Sequence, residues 1–218
     1  MEDLKYGAAD LDAVLSRVRE LSMSPFSLEV ESKADEFRRM GKESYEKIFG
    51  ELCFCILAAN TSAEMGLRTQ NAIGIDGFLE LPQDALRDRL KSVKYRFYNL
   101  RSRFIVQARE IATELPGVIR SADAEDARRF LVDNVMGIGY KEASHFLRNV
   151  GVFKFAILDK HIVRMMASDG VKPIPKVTSP RRYLELEKKF LTISADMGMD
   201  PGILDLYMWK IATGKMIK

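Results

Sequence analysis

Cysteine, histidine and tryptophan are scarce in this 218-residue chain, which has two, two and one of them. Two cysteines cannot supply the four thiolates of an iron–sulfur cluster. With only His145 and His161 beside them, a zinc centre also finds too few ligands. Cys53 and Cys55 stand in ELCFCILAA, which reads as buried helix. Alternate positions on a helix point to different sides, so the pair is read as two core thiols, and no disulfide framework is visible. Long apolar runs are missing too. The run 52–59 is too short to cross a bilayer and no signal-peptide pattern appears, so the expected location is cytoplasmic. Charge of one sign is also missing: 34 basic and 31 acidic residues leave a net +3. Nothing in that balance demands a polyanionic partner, and any basic surface must be local. Asn and Gln are scarce and 30% of residues are charged, a composition that suits heat-tolerant proteins. Strand pairs and long-period repeats are absent as well.

What is present is helical. Apolar residues make up 47% of the chain, enough for a packed interior in one large domain or two small ones. Leu11, Val14, Leu15 and Val18 recur with a period near 3.6, predicting a helix over 10–21. A more charged helix follows over 26–40, with Gly41 as its stop. The most apolar helix, 43–59, is the expected centre of the core. Helix 63–73 follows, with Ser62 as its N-cap. Further helices are expected over 83–93 and over 97–115. The second carries Leu100, Phe104, Ile105, Ala108 and Ile111 as its apolar stripe, and Pro116-Gly117 closes it. Then come 124–135, 140–150 and 161–168. Residues 172–179 read as an exposed loop. Ser179-Pro180 and Asp200-Pro201 each open a helix, and Gly214 stops the last one, 203–213. The reading is all-α, with about eleven short helices.

Chemistry concentrates in NVMGIGYKEASHFLRNVG, residues 134–151. Gly137 and Gly139 allow unusual backbone angles and close approach. A helix begins at once, so its free N–H groups point the same way. That makes either an anion site suited to phosphate or a tight corner between helices. Lys141 lies in the first turn of that helix, the end that disfavours a cation. It is either a solvated lysine or an amine held ready as a nucleophile, able to form a Schiff base with a sugar carbon. In FKFAILDKHIVRMM, Asp159 opens a helix. Capping alone accounts for an aspartate there, and a carboxylate so placed can also stabilise a cationic transition state.

The pair VMGIGYKEAS and ILDKHIVRM resembles the helix-hairpin-helix and Gly-Pro-Asp segments of the helix-hairpin-helix (HhH-GPD) DNA glycosylase superfamily. The hairpin Gly-x-Gly, the lysine two positions later and an Asp-x-His eighteen residues beyond it are kept. The proline of that name is replaced, since Ile157 and Leu158 precede Asp159. ILAANTSAEMGLR resembles the family's segment facing the base opposite the lesion. KYRFYNLRSRFIVQAR and LYMWKIATGKMIK, ending on a lysine, resemble the small 8-oxoguanine DNA glycosylase/AP lyases of archaea and some thermophilic bacteria. The resemblance covers about residues 44–218.

It implies an all-α fold of two helical subdomains with the active site in the cleft between them. One would comprise residues 1–60 and 150–218, and the other 61–149 with the hairpin. It implies a bifunctional enzyme of base excision repair that acts on 8-oxoguanine in double-stranded DNA as a monomer, in the cytoplasm with the nucleoid. Lys141 would attack the sugar and Asp159 would activate it and steady the oxocarbenium-like intermediate. Gly137, Gly139 and Lys141 would hold a phosphate. No cofactor or iron–sulfur cluster is required, and a Na⁺ or K⁺ on the carbonyls of Asp133, Val135 and Ile138 is part of related hairpins. Phe97 and Trp209 are the implied aromatic walls for the flipped base, with Lys218 contributing its side chain or terminal carboxylate. Asn60 and Arg96 are placed to meet the estranged cytosine, and His161 to anchor the Asp159 helix. Each has a plainer reading: core aromatics, a frayed terminus, a helix end and a phosphate clamp. Lys91, Lys94, Arg96, Arg101 and Arg103 form a local basic cluster for DNA backbone or a solvated helix face. Two other functions fit the same residues: an endonuclease III-like glycosylase for oxidised pyrimidines, and a non-catalytic module that docks on DNA through the hairpin.

Overall fold

The computed structural model describes residues 11–121, 123–167, 177 and 179–216. Among them are twelve α-helices and no β-strand, so the all-α expectation holds. The helices are α1 Leu11–Ser22, α2 Phe26–Met40, α3 Tyr45–Ala58, α4 Ala63–Glu80, α5 Gln83–Ser92 and α6 Tyr98–Ala108. They continue with α7 Leu115–Ile119, α8 Ala124–Asn134, α9 Tyr140–Asn149, α10 Lys160–Met166, α11 Pro180–Asp196 and α12 Pro201–Thr213. No helix of the described residues is long and apolar enough to cross a membrane.

Contacts divide the described chain into two units, Asp35–Val152 and residues 11–34 with 153–216. The first is built around α3, whose residues from Ile48 to Leu57 are all buried. A helix apolar on every side can only be a central one, and α3 packs against α4, α6, α7 and α9. Each fully buried Leu, Ile or Phe there contributes on the order of 1.5–3 kcal/mol. Glu51 is the polar exception, and its carboxylate accepts from the Asn149 amide at 2.7 Å. Because α3 packs in this unit, it groups with the hairpin, whereas the sequence reading grouped residues 1–60 with the carboxy-terminal part.

The second unit gathers α1, α10, α11 and α12. Val14, Val18, Ile162, Phe190, Leu204 and Met208 are in its core. The buried segment before Asp159 is held by its polar atoms. The Tyr183 hydroxyl donates to the Ala156 carbonyl at 2.7 Å, Ala156 N–H donates to Glu187 at 3.3 Å, and Gly202 N–H donates to the Phe153 carbonyl at 2.9 Å.

Three helices depart from the sequence reading. Helix α4 does not end near residue 73 but resumes after a kink at Gly74, whose φ of 76° a helix does not contain. The long helix expected over 97–115 is cut into α6, a short 3₁₀ turn Arg109–Ile111, and α7. Pro116 lies in the first turn of α7, where its missing N–H costs nothing, so it opens a helix instead of closing one. The buried face of α6 is also shifted by one residue. Arg101, Ile105 and Ala108 face inward, while Leu100 is 47% exposed.

Candidate active site

Helices α8 and α9 form the hairpin, joined by the turn 135–139. Gly137 has φ +80°, and a Cβ there would lie 2.5 Å from Phe104 and 2.6 Å from Arg101 Nη1. Its glycine is thus required twice, by conformation and by the close approach of α6. Gly139 is different. It is the N-cap of α9 in extended conformation, and a Cβ would meet only the Glu142 carboxylate at 3.7 Å. With no side chain capping α9, the N–H groups of its first turn are left for an external acceptor.

Lys141 is the second residue of α9 and one-third exposed. Its Nζ lies 3.3 Å from Glu142 Oε1. Glu142 was not singled out in the sequence. The available signal was its place at the third helical position, where a glutamate commonly folds back over an open N-terminus. At the end of α8, Asp133 is exposed and Val135 and Ile138 are buried. The Val135 carbonyl accepts from Ile138 N–H at 3.2 Å and keeps a second lone pair.

In the same unit, the α3 terminus presents Asn60. It occupies the position after the C-cap with φ +60°, a left-handed conformation that asparagine tolerates better than most residues. The preceding carbonyls, which a helix leaves open, are met by side chains. Leu57 O accepts from the Tyr95 hydroxyl and the Thr61 hydroxyl, each at 2.7 Å, and Ala59 O accepts from Arg101 Nη2 at 2.9 Å. Burial pushes the Tyr95 phenol up, and the Arg101 charge pulls it back. Phe97 is the half-buried residue before α6, and the exposed Arg96 guanidinium lies 4.9 Å from its ring centroid. Lys91, Lys94, Arg96 and Arg103 are exposed as a DNA-facing cluster requires. Arg101 is not: it is 5% exposed and does not belong to that surface.

Asp159, His161 and Trp209 belong to the other unit. Asp159 is the N-cap of α10, and its Oδ1 accepts from His161 N–H at 2.8 Å and Ile162 N–H at 2.9 Å. The His161 ring meets Trp209 edge to face, with centroids 5.3 Å apart. The Trp209 Nε1 is buried without a hydrogen-bond partner among the described residues, which leaves a donor for a ligand atom to satisfy. Lys218 lies outside the described residues.

Burial holds the His161 imidazole below its ordinary 6.5, with Lys160 and Arg164 adding to the effect and Asp159 opposing it. A base whose folded value is depressed binds fewer protons folded than unfolded. Its contribution to stability is therefore intact above pH 6.5 and lost as pH falls below it. The thermal midpoint is expected to decline over that interval, and His161→Gln to flatten the decline. An identical slope in the variant would remove His161 from the account.

Several known proteins are similar to this chain over most of its length. The family model for 8-oxoguanine DNA glycosylase matches residues 30–199. An 8-oxoguanine DNA glycosylase/AP lyase of Thermoplasma acidophilum is 59% identical over 186 residues, covering 85% of this chain and 90% of that protein. One of Methanocaldococcus jannaschii is 43% identical, covering 94% and 99%. The crystal structure of a Methanocaldococcus jannaschii 8-oxoguanine glycosylase/lyase with a 15mer DNA containing 8-oxoguanine superposes with a TM-score of 0.89 at 42% identity, covering 94% of this chain and all of that one. The Thermotoga maritima 8-oxoguanine DNA glycosylase gives 0.87 at 41% identity, covering 95% and 100%. The chain belongs to the 8-oxoguanine DNA glycosylase family of helix-hairpin-helix proteins.

Proposed function

We propose that this chain excises 8-oxoguanine from duplex DNA and then cleaves the strand at the abasic site. The observation that carries this is similarity over most of the chain, at 59% and 43% identity, to glycosylase/lyases of that name. The hairpin supplies the positional part. The open N-terminus of α9, behind a glycine that presents no side chain, suits a backbone phosphate and reads no sequence. The damaged nucleotide leaves the stack to be processed.

Lys141 is the nucleophile in this reading. Its nitrogen bonds to C1′ as the glycosidic bond breaks, and the base departs with the bonding electrons and takes up a proton. Opening of the sugar ring gives the iminium, and loss of a C2′ proton expels the 3′ phosphate by β-elimination. Asp159 activates the lysine amine and, as a carboxylate, steadies the positive charge that develops on the sugar as the glycosidic bond breaks. Its two backbone hydrogen bonds fix the carboxylate at the start of α10. Phe97 and Trp209 stack on the flipped base. The unsatisfied Trp209 indole supports a ligand-facing role for that residue. Lys218 adds to recognition of the base. Asn60 and Arg96, exposed on neighbouring loops of one unit, face the estranged base, and His161 braces Asp159 and Trp209.

The reaction needs no redox cofactor. Carbonyls are the donors that hard monovalent cations prefer, and those of Asp133, Val135 and Ile138 would hold Na⁺ or K⁺. The ion's part is to stiffen the turn. A monomer acting on chromosomal DNA in the cytoplasm completes the reading.

Single-turnover assays on duplexes with one lesion test the substrate. Release of 8-oxoguanine with a β-elimination product is expected. Equal or faster processing of thymine glycol would favour the oxidised-pyrimidine enzyme, and binding without release would leave only a docking module.

A further inference from the structure

Arg101 is buried among groups read as DNA contacts. A guanidinium stays charged at any working pH, so burying it is costly unless the surroundings answer it. Here they answer it in part. Nη2 donates to Ala59 O at 2.9 Å, at the negative end of α3. The Arg101 guanidinium lies 6.0 Å from the Phe97 centroid and 5.3 Å from that of Phe104. Arg96 flanks Phe97 at 4.9 Å and Arg103 flanks Phe104 at 5.6 Å, so rings and guanidinium groups alternate along the row. Nε has no hydrogen-bond partner among the described residues. A methionine would fill this space without the desolvation cost, so stability alone does not explain the arginine.

We infer that Arg101 is a positioning residue for base excision, fixing the Asn60 loop through the Ala59 carbonyl and the Phe97 ring through the cation–π contact. The inference rests on the reading that Phe97 stacks on the flipped base. A rigid fork that donates to a carbonyl while its charge lies against two rings is something neither a lysine nor an apolar residue reproduces.

A double-mutant cycle tests it, read by single-turnover excision of 8-oxoguanine from duplex DNA, with lyase activity on a pre-made abasic site and thermal melting beside it. Phe97→Ala is expected to slow excision about 30-fold, the loss of one good stack. Arg101→Met is expected to slow it about 10-fold, the scale of a small misplacement of a binding group. The double variant should be no slower than Phe97→Ala, because both changes act through one ring. Lyase activity, which needs no base in place, should fall less than excision. Arg101→Lys covers the case in which the methionine variant misfolds: melting should be near wild type while excision stays reduced. Additive losses in the double variant, full excision with Arg101→Lys, or full excision with a folded Arg101→Met would each overturn the proposal while leaving the Phe97 reading intact. Undiminished excision by Phe97→Ala would instead overturn the stacking reading and the proposal with it.

Discussion

Lys141→Gln is expected to abolish both base release and strand cleavage, a loss of at least about a thousandfold, as the proposed nucleophilic role of Lys141 requires. Glutamine keeps much of the length and polarity of lysine, but its amide nitrogen cannot form an iminium. The site is one-third exposed and the side chain pairs with Glu142, so packing around it should survive. The lost ion pair, part-exposed and between sequence neighbours, is worth at most about 1 kcal/mol. Binding to undamaged duplex should therefore weaken little, with a salt slope shallower by about one if the ammonium lies near a phosphate. Single-turnover kinetics and binding at two salt concentrations check both halves. Residual excision within tenfold of wild type would make another group the nucleophile.

The second large effect is expected from Asp159→Asn. Removing a charge aimed at a developing cation typically costs about 10²–10³ in rate. The choice of asparagine matters, because Asp159 is an N-cap as well as the proposed stabiliser of the sugar cation. As N-cap it holds the N–H groups of His161 and Ile162, and asparagine caps a helix as well as aspartate does. Asp159→Asn should therefore melt like wild type and bind DNA normally while excising slowly. Asp159→Ala should lose about 1 kcal/mol of stability in addition, from the missing cap. Those two variants separate charge from structure. If Asp159→Asn excises at the wild-type rate, the carboxylate is only a cap.

The hairpin was legible because its requirements are local. A positive φ and a close approach leave Gly137 few substitutes, and the Lys141 and Asp159 helix starts are punctuated by Gly139 and by a capping acid. The α6 region was not legible for a physical reason. Ile105 and Ala108 were expected inside and are, but an apolar stripe through Leu100 looks better than one through Arg101, so periodicity missed the start of the buried face. The true face carries a guanidinium held by the Ala59 carbonyl and two rings, contacts made by residues as far as 42 positions away. The same limit hid the second half of α4. Gly74 reads as an end, and only the packed structure shows the helix resuming, its last carbonyls, Phe78 and Leu81, taken by Arg109 at 2.7 Å each. Glu142 escaped notice because a Lys-Glu neighbour pair is ordinary on a helix surface; its contact with Lys141 lies at the uncapped first turn of α9.

The central claim is that one amine, Lys141, becomes covalently joined to the sugar. Borohydride reduction during turnover of an 8-oxoguanine duplex, followed by peptide mapping of the adduct, tests it most directly. The account expects a stable protein–DNA adduct carried by Lys141 and none from Lys141→Gln. An enzyme that releases the base but yields no adduct, or one whose adduct maps to a different residue, would contradict it.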